Sequence, residues 1–156
     1  MQLSLHADYA LRVLIYAGSH PRRTVTTSQI SEAYGISRTH LVRVVHTLGV
    51  CRYIDVIPGR NGGIRLRRPA EEILLGQVVR DAEPNMRLVE CFDPATNTCP
   101  ITKVCGLKNM LRLALEAFLG ELDQHTLADL TGSGRNEVLA QALLQIAPLP
   151  GPPRGH

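Results

Sequence analysis

Cys91, Cys99 and Cys105 fall within fifteen residues in a C-x7-C-x5-C arrangement. Three soft thiolates on one segment can converge on a single metal centre. The spacing is neither the paired C-x2-C of zinc ribbons nor the ferredoxin run. It leaves open an iron-sulfur site, a structural zinc, a dithiol redox switch, or three inert buried thiols. Cys51 stands apart and reads as a small apolar residue packed at a helix end. A three-cysteine iron site needs a fourth ligand or leaves one iron open. Asp93 lies close to Cys91, Lys108 is a poor ligand while protonated, and the opening segment offers His6 and Asp8. Asp8 has a second explanation, because an acid in a first helical turn is stabilised by the helix dipole with or without a metal.

A second chemistry is written in charge. Residues 1–70 carry ten Lys/Arg against three Asp/Glu, while residues 71–156 carry seven against eleven. A basic half joined to an acidic half points the first seventy residues toward a polyanion; a merely solvated basic face is the alternative.

The elements that must position these groups follow from periodicity. Ala7, Ala10, Leu11, Leu14, Ala17 and Gly18 recur at helical spacing, predicting a helix from Ser4 to about Ser19 that His20-Pro21 ends. Thr26 or Thr27 caps a short second helix that stops at Tyr34-Gly35. Ser37 caps a third, from Arg38 to about Leu48, closed by Gly49. Its inward set is Leu41, Val44, Val45 and Leu48, and its other face carries Arg38, Thr39, His40, Arg43 and His46. Two short helices joined by a tight turn, the second polar and basic outside, match the helix-turn-helix pattern. Ser37, Arg38, Thr39, His40 and Arg43 are its candidate DNA contacts. Tyr53–Ile57 and Ile64–Arg67 flank an Asn-Gly turn and read as a β-hairpin, a candidate wing. Arg60 and Asn61 at its tip can approach phosphate or the minor groove.

Glu71–Glu83 is expected to be helical, with Ile73, Leu74, Val78 and Ala82 buried, and Pro84 ends it. Residues 84–105 lack periodicity, and a loop that long in a small protein is functional or disordered. From about Lys103 to Asp123 a helix returns whose apolar residues, among them Leu107, Met110, Leu111, Leu115, Phe118 and Leu119, cover more than one face. Such a helix must bury two sides, and a partner subunit is the economical second.

The chain has 156 residues, two Phe, four Tyr and no Trp, enough for one module with a core of Leu, Val, Ile and Ala, as packed helices prefer. The start lacks the basic n-region and apolar h-region of a secretory signal, and no run of 18 apolar residues occurs. A cytoplasmic, non-membrane protein is expected, with its thiols reduced. No GxGxxG fingerprint, P-loop or nucleophile-base set is visible, so an enzyme is not expected.

LHADYALRVLIYAG, YGISRTHLVRVVHTLG, PGRNGGIRL, LLGQVVRDAEP, CPITKVCGLKNML and FLGELDQHTLADL, in this order, closely resemble the iron-sulfur winged-helix regulators of the Rrf-two family, from Met1 to about Leu130. The likeness implies a mainly α protein: a winged helix-turn-helix domain with a two-stranded wing (1–83), a cluster-binding loop (84–105) and a dimerisation helix with a short terminal helix (106–131); the Pro- and Gly-rich tail (132–156) lies outside it and reads as mobile from its composition. It implies a homodimer on double-stranded, inverted-repeat operator DNA. Each subunit would hold one iron-sulfur cluster, [4Fe-4S] or alternatively [2Fe-2S], on Cys91, Cys99, Cys105 and Asp8 of the partner subunit. Sister regulators carry a histidine ligand three residues beyond the last cysteine, where this chain has Lys108. The nitric-oxide-sensing branch is the best match, so nitrosylation of the cluster is expected to lift repression of nitric-oxide detoxification genes. A regulator of iron-sulfur or oxidative status, and from another class an electron-transfer protein, are the rivals.

Overall fold

The computed structural model describes residues 2–60, 62–132, 138–139 and 141–142, so Asn61 and most of the expected tail, 132–156, lie outside the described residues. The architecture is mainly helical with one two-stranded antiparallel sheet. α1 (Leu5–Gly18) is capped by Ser4, whose side chain accepts from Ala7 N–H, and its buried face includes Ala7, Ala10, Val13, Leu14 and Ala17. α2 (Thr27–Tyr34) begins with a reciprocal capping box between Thr26 and Gln29 and ends at Gly35 with φ 66°, the left-handed stop that glycine adopts without Cβ strain.

α3 (Arg38–Val50) is capped by Ser37 and buries Leu41, Val44, Val45 and Leu48, the set its periodicity predicts. Its end differs from expectation. Gly49 stays helical, and Arg52 turns the chain with φ 60°. Tyr53 N–H donates to Leu48 C=O at 2.9 Å and Arg52 N–H to Gly49 C=O at 3.0 Å, which completes a Schellman closure on a non-glycine residue.

β1 (Ile54–Ile57) pairs with β2 (Gly63–Leu66), Ile57 opposite Gly63. The connection is the loop 58–62, one residue shorter than the stretch 58–63 that the sequence sets between the strands. Gly62 is required there by space, since a Cβ would run into the Ile57 carbonyl oxygen. Val25 also bridges Ile64 through a reciprocal pair of hydrogen bonds at 2.9 and 2.7 Å, joining the segment before α2 to the wing.

Glu71–Glu83 is not one helix. A 3-10 turn at Ala70–Glu72 leads to Ile73 and Leu74 in extended conformation, then to α4 (Leu75–Ala82). Leu74 bridges Thr126 and is exposed, contrary to its expected burial, whereas Ile73 is fully buried. α5 (Gly106–Leu122) docks on α4, where Gly76 lies so close that a Cβ would meet the Asp123 carboxylate and the Leu119 carbonyl. Arg80 on α4 grips Asp123 with two hydrogen bonds, 2.7 and 2.5 Å. α6 (Leu127–Thr131) packs back on α1, with Thr131 against Gly18. One core runs through α1, α3, the wing, α4 and α6. In α5 only Leu119 is buried.

Candidate functional site

Because Leu41, Val44, Val45 and Leu48 point into the core, helical geometry turns Arg38, Thr39, His40, Val42, Arg43 and His46 outward, and all six are exposed. Ser37 spends its hydroxyl on the His40 N–H, 3.4 Å away. Val42, 60% exposed among polar neighbours, was not singled out from sequence. Its signal was an apolar residue outside the inward set, and a branched side chain there suits contact with a thymine methyl. At the wing, Arg60 is exposed at the loop. Arg65 on β2 and Arg67 just beyond it flank Asp55 of β1 at 3.6 and 3.5 Å, so part of the wing's positive charge is offset within the hairpin.

The amino-terminal turn of α1 lies against this surface. His6 Nε2 is 3.0 Å from Thr47 Oγ1 on α3, and the Tyr9 and His40 rings face each other with centroids 6.1 Å apart. The same turn reaches the far end of α4, where Ser4 N–H donates to Glu83 Oε1 at 2.6 Å. Asp8 closes the same first turn and is bound within its own helix: Arg12 Nε donates to Oδ1 at 3.1 Å, and Nη2 lies 2.9 Å from Oδ2. Thr47 and Glu83 escaped the sequence reading because their contacts join residues 41 and 79 positions apart.

The cysteine segment begins one residue after Glu83. Cys91 sits in a 3-10 turn at Glu90–Phe92, Cys99 follows a polar knot, and Cys105 immediately precedes α5. Asn97 Oδ1 accepts the Cys99 N–H at 3.1 Å and Asn97 Nδ2 donates to Thr102 Oγ1, which donates to the Cys99 carbonyl at 2.9 Å. Asp93 organises the loop: its carboxylate accepts from Thr96 Oγ1 at 2.7 Å and Ala95 N–H at 3.1 Å and pairs with Arg87 at 2.7 Å. Those contacts, Thr96 first, hold its carboxyl below the ordinary range and engage the oxygens a metal would need.

All three cysteines are free thiols and half-buried. Their chemistry fits a soft metal group. Among the described residues, no three His, Cys, Asp or Glu side chains gather closely enough to hold a metal ion. Ile101 and Val104, between Cys99 and Cys105, are 56% and 86% exposed, an unusual position for branched aliphatic side chains. Cys51 is also free, half-buried at the end of α3, and burial raises its thiol pKa with Asp81 adding to the effect. It is the unreactive form of cysteine.

A helix-turn-helix whose second helix turns a basic face outward, flanked by a two-stranded hairpin, defines a winged-helix regulator. The chain matches the Rrf2 family, described as iron-dependent transcriptional regulators, over residues 3–133, and it belongs to that family. It is 46% identical over 149 residues to the HTH-type transcriptional regulator NsrR of Halalkalibacterium halodurans, covering 95% of this chain and 100% of the relative. To the regulator of the same name from Bacillus subtilis it is 47% identical over 131 residues, covering 83% of this chain and 90% of the relative. Among solved structures it resembles Staphylococcus aureus CymR in its oxidized form, with TM-score 0.67 and 26% identity, over 85% of this chain and 97% of that one. No helix among the described residues is long and apolar enough to cross a membrane.

Proposed function

We propose that this chain is a nitric-oxide-responsive transcriptional repressor that acts as a homodimer on inverted-repeat operator DNA, in the cytoplasm. Arg38, Thr39, His40 and Arg43 of each subunit enter a major groove, with Ser37 fixing the first turn of α3, and Arg60 and Asn61 reach the flanking minor groove. Phosphate contacts from the arginines supply most of the affinity, so binding weakens steeply with salt. The homodimer reading is supported by α5, where Leu107 and Met110 are 58% and 66% exposed and Leu113 is exposed beside them. An apolar ridge of that kind on a family member's longest helix is the economical place for a second copy.

Cys91, Cys99, Cys105 and Asp8 of the partner subunit would hold the cluster, [4Fe-4S] in our reading. A cluster there supplies iron that nitric oxide binds. Asp8 is held by Arg12 in the isolated chain, so ligation requires it to exchange that partner. The loop from Pro84 to Cys105 and the first turn of α1 are tied through Glu83 and Ser4, and that turn leans on α3. The observation that carries the proposal is this juxtaposition: three free thiols on a loop whose first anchor is the turn that supports the DNA-reading helix.

The test is an anaerobic titration of iron-loaded protein with nitric oxide while operator binding is followed, with peroxide and oxygen as parallel arms. Nitric oxide is expected to release DNA in proportion to the iron present, lowering affinity between about fivefold and 150-fold. Release by peroxide or oxygen alone, with nitric oxide inert, would make the protein a sensor of oxidative status instead.

A further inference from the structure

The contact between α1 and α3 is a short polar one. Thr47 Oγ1 lies 3.0 Å from His6 Nε2 across the two helices and 3.2 Å from the Arg43 carbonyl oxygen on its own helix. The ring and the hydroxyl can each donate or accept, so they pair at hydrogen-bond distance while the same hydroxyl sits against the backbone of Arg43. Seven residues away on α3, two helical turns, His40 meets Tyr9. Between these two contacts the helices are not sealed. Leu5, His6, Tyr9, His40, Arg43 and Val44 line an open notch of about 210 Å³. Close-packed side chains of the shared core hold the helices by shape further along; beside the notch, the hydrogen bond between His6 and Thr47 is the contact that ties the first turn of α1 to α3.

The other end of the same turn is fastened to the cysteine loop. Ser4 N–H donates to the Glu83 carboxylate at 2.6 Å, a charge-assisted bond at the residue before Pro84. His6 is two residues from Ser4 and two from Asp8. Any movement of the loop's start or of Asp8 therefore reaches α3 through a rigid turn whose polar contact is with Thr47, and Thr47 is bonded to the backbone of Arg43.

We propose that His6 is a positioning residue: its ring, through Thr47, sets the placement of the Arg43 turn of α3 and transmits the state of the cysteine loop to the DNA-reading surface. This rests on the repressor reading for its regulatory half, while the positioning half stands on geometry alone.

The experiment compares wild type with His6→Ala, His6→Gln, Thr47→Val and the double variant. The probe is a duplex selected from a random-sequence pool by iron-loaded wild type. In wild type, iron-loaded protein binds it more tightly than iron-free protein. His6→Ala is expected to shrink that ratio by about three- to tenfold, the worth of one hydrogen bond, with visible absorbance of the loaded protein unchanged. Gln retains a donor at similar reach, so His6→Gln restores the ratio to within about twofold. Thr47→Val reproduces His6→Ala, and the double variant adds nothing further, as expected for one shared interaction. The slope of binding against salt stays the same; a fall of about one unit would make His6 a direct phosphate contact and overturn the proposal. So would an unchanged ratio in His6→Ala, or additive effects of the two substitutions. Hydrogen exchange of amides 43–47 in the iron-free variants gives a readout independent of any cluster. Faster exchange in both single variants supports positioning, and unchanged exchange overturns it. If wild type binds equally with and without iron, the repressor reading falls, and the exchange measurement still decides whether His6 positions α3.

Discussion

In α3 the apolar residues Leu41, Val44, Val45 and Leu48 are all buried, whereas in the longer α5 only Leu119 is, and Leu107, Met110 and Leu113 stand in solvent. Each helix carries an apolar stripe, yet α3 buries its stripe within one chain, leaving only Val42 and Val50 of its large apolar residues exposed, and α5 does not. Polar groups follow the same division. Thr26, Gln29, Ser37 and Gly35 satisfy the ends of the amino-terminal helices, while Cys91, Cys99 and Cys105 are left as free thiols. One region closes its apolar surface and satisfies its helix ends, and the other leaves apolar side chains of α5 in solvent and its three thiols free. That is the arrangement a sensor needs if a signal at the second half is to reach the first.

The sharpest way to break this comparison is to unmake the finished half. Leu41→Ala opens a cavity in a fully buried site and is expected to cost about 2–5 kcal/mol, read by denaturant unfolding of iron-free protein. If α5 needed no partner, a substitution there would cost little. Met110→Glu is instead expected to weaken dimerisation by at least about a hundredfold, about 2.7 kcal/mol, because it buries an unpaired carboxylate. Analytical ultracentrifugation over a concentration series measures it, and an unaltered dimer would remove α5 from the interface.

Smaller effects probe the seam between the halves. Gly76→Ala forces α4 away from Leu119 and Asp123 and is expected to lower stability by about 1–3 kcal/mol, with α3 left intact by hydrogen exchange. At the same seam, hydrogen bonding from Arg80 holds the Asp123 carboxyl below its usual range. A carboxyl whose folded pKa is lowered stabilises fully above the unfolded value, about 4, and loses that contribution as pH falls through the folded one. Asp123→Asn should thus flatten the acid limb of the melting-temperature profile and leave its slope near neutral pH unchanged. The pair is one-third exposed, so the effect is smaller than that of Gly76→Ala. Smallest of all, Arg52→Gly relieves a left-handed non-glycine residue at the end of α3 and is expected to stabilise by up to about 1 kcal/mol, visible as a raised denaturation midpoint.

What could be read from the sequence was whatever short-range rules decide. The α3 inward set, the Thr26 and Ser37 caps and the Gly35 stop depend on residues within a turn of one another. Where a long-range contact decides, the reading missed. Gly49 does not close α3, because Tyr53 is drawn back to Leu48 and Arg52 takes the strained position. Leu74 is exposed because it bridges Thr126 at the edge, which splits the expected helix 71–83. The hairpin itself was legible, but the bridge by which Val25 clamps Ile64 from outside joins residues far apart in sequence. The three cysteines stood out as candidates by spacing and family likeness, whereas the hold of Arg87, Thr96 and Ala95 on Asp93 could not be read from its nearness to Cys91. Glu83 and Thr47 carried no local signal.

The central claim is that the state of the cysteine loop sets the affinity of the α3 surface for DNA. It is tested most directly by preparing wild type and Cys99→Ala without oxygen, counting iron and sulfide in each, and titrating both against one operator duplex at one salt concentration. The account predicts iron and sulfide in wild type, their loss in Cys99→Ala, and at least about tenfold weaker binding by the variant at unchanged secondary structure. Equal affinity of the iron-loaded and iron-free proteins would contradict it.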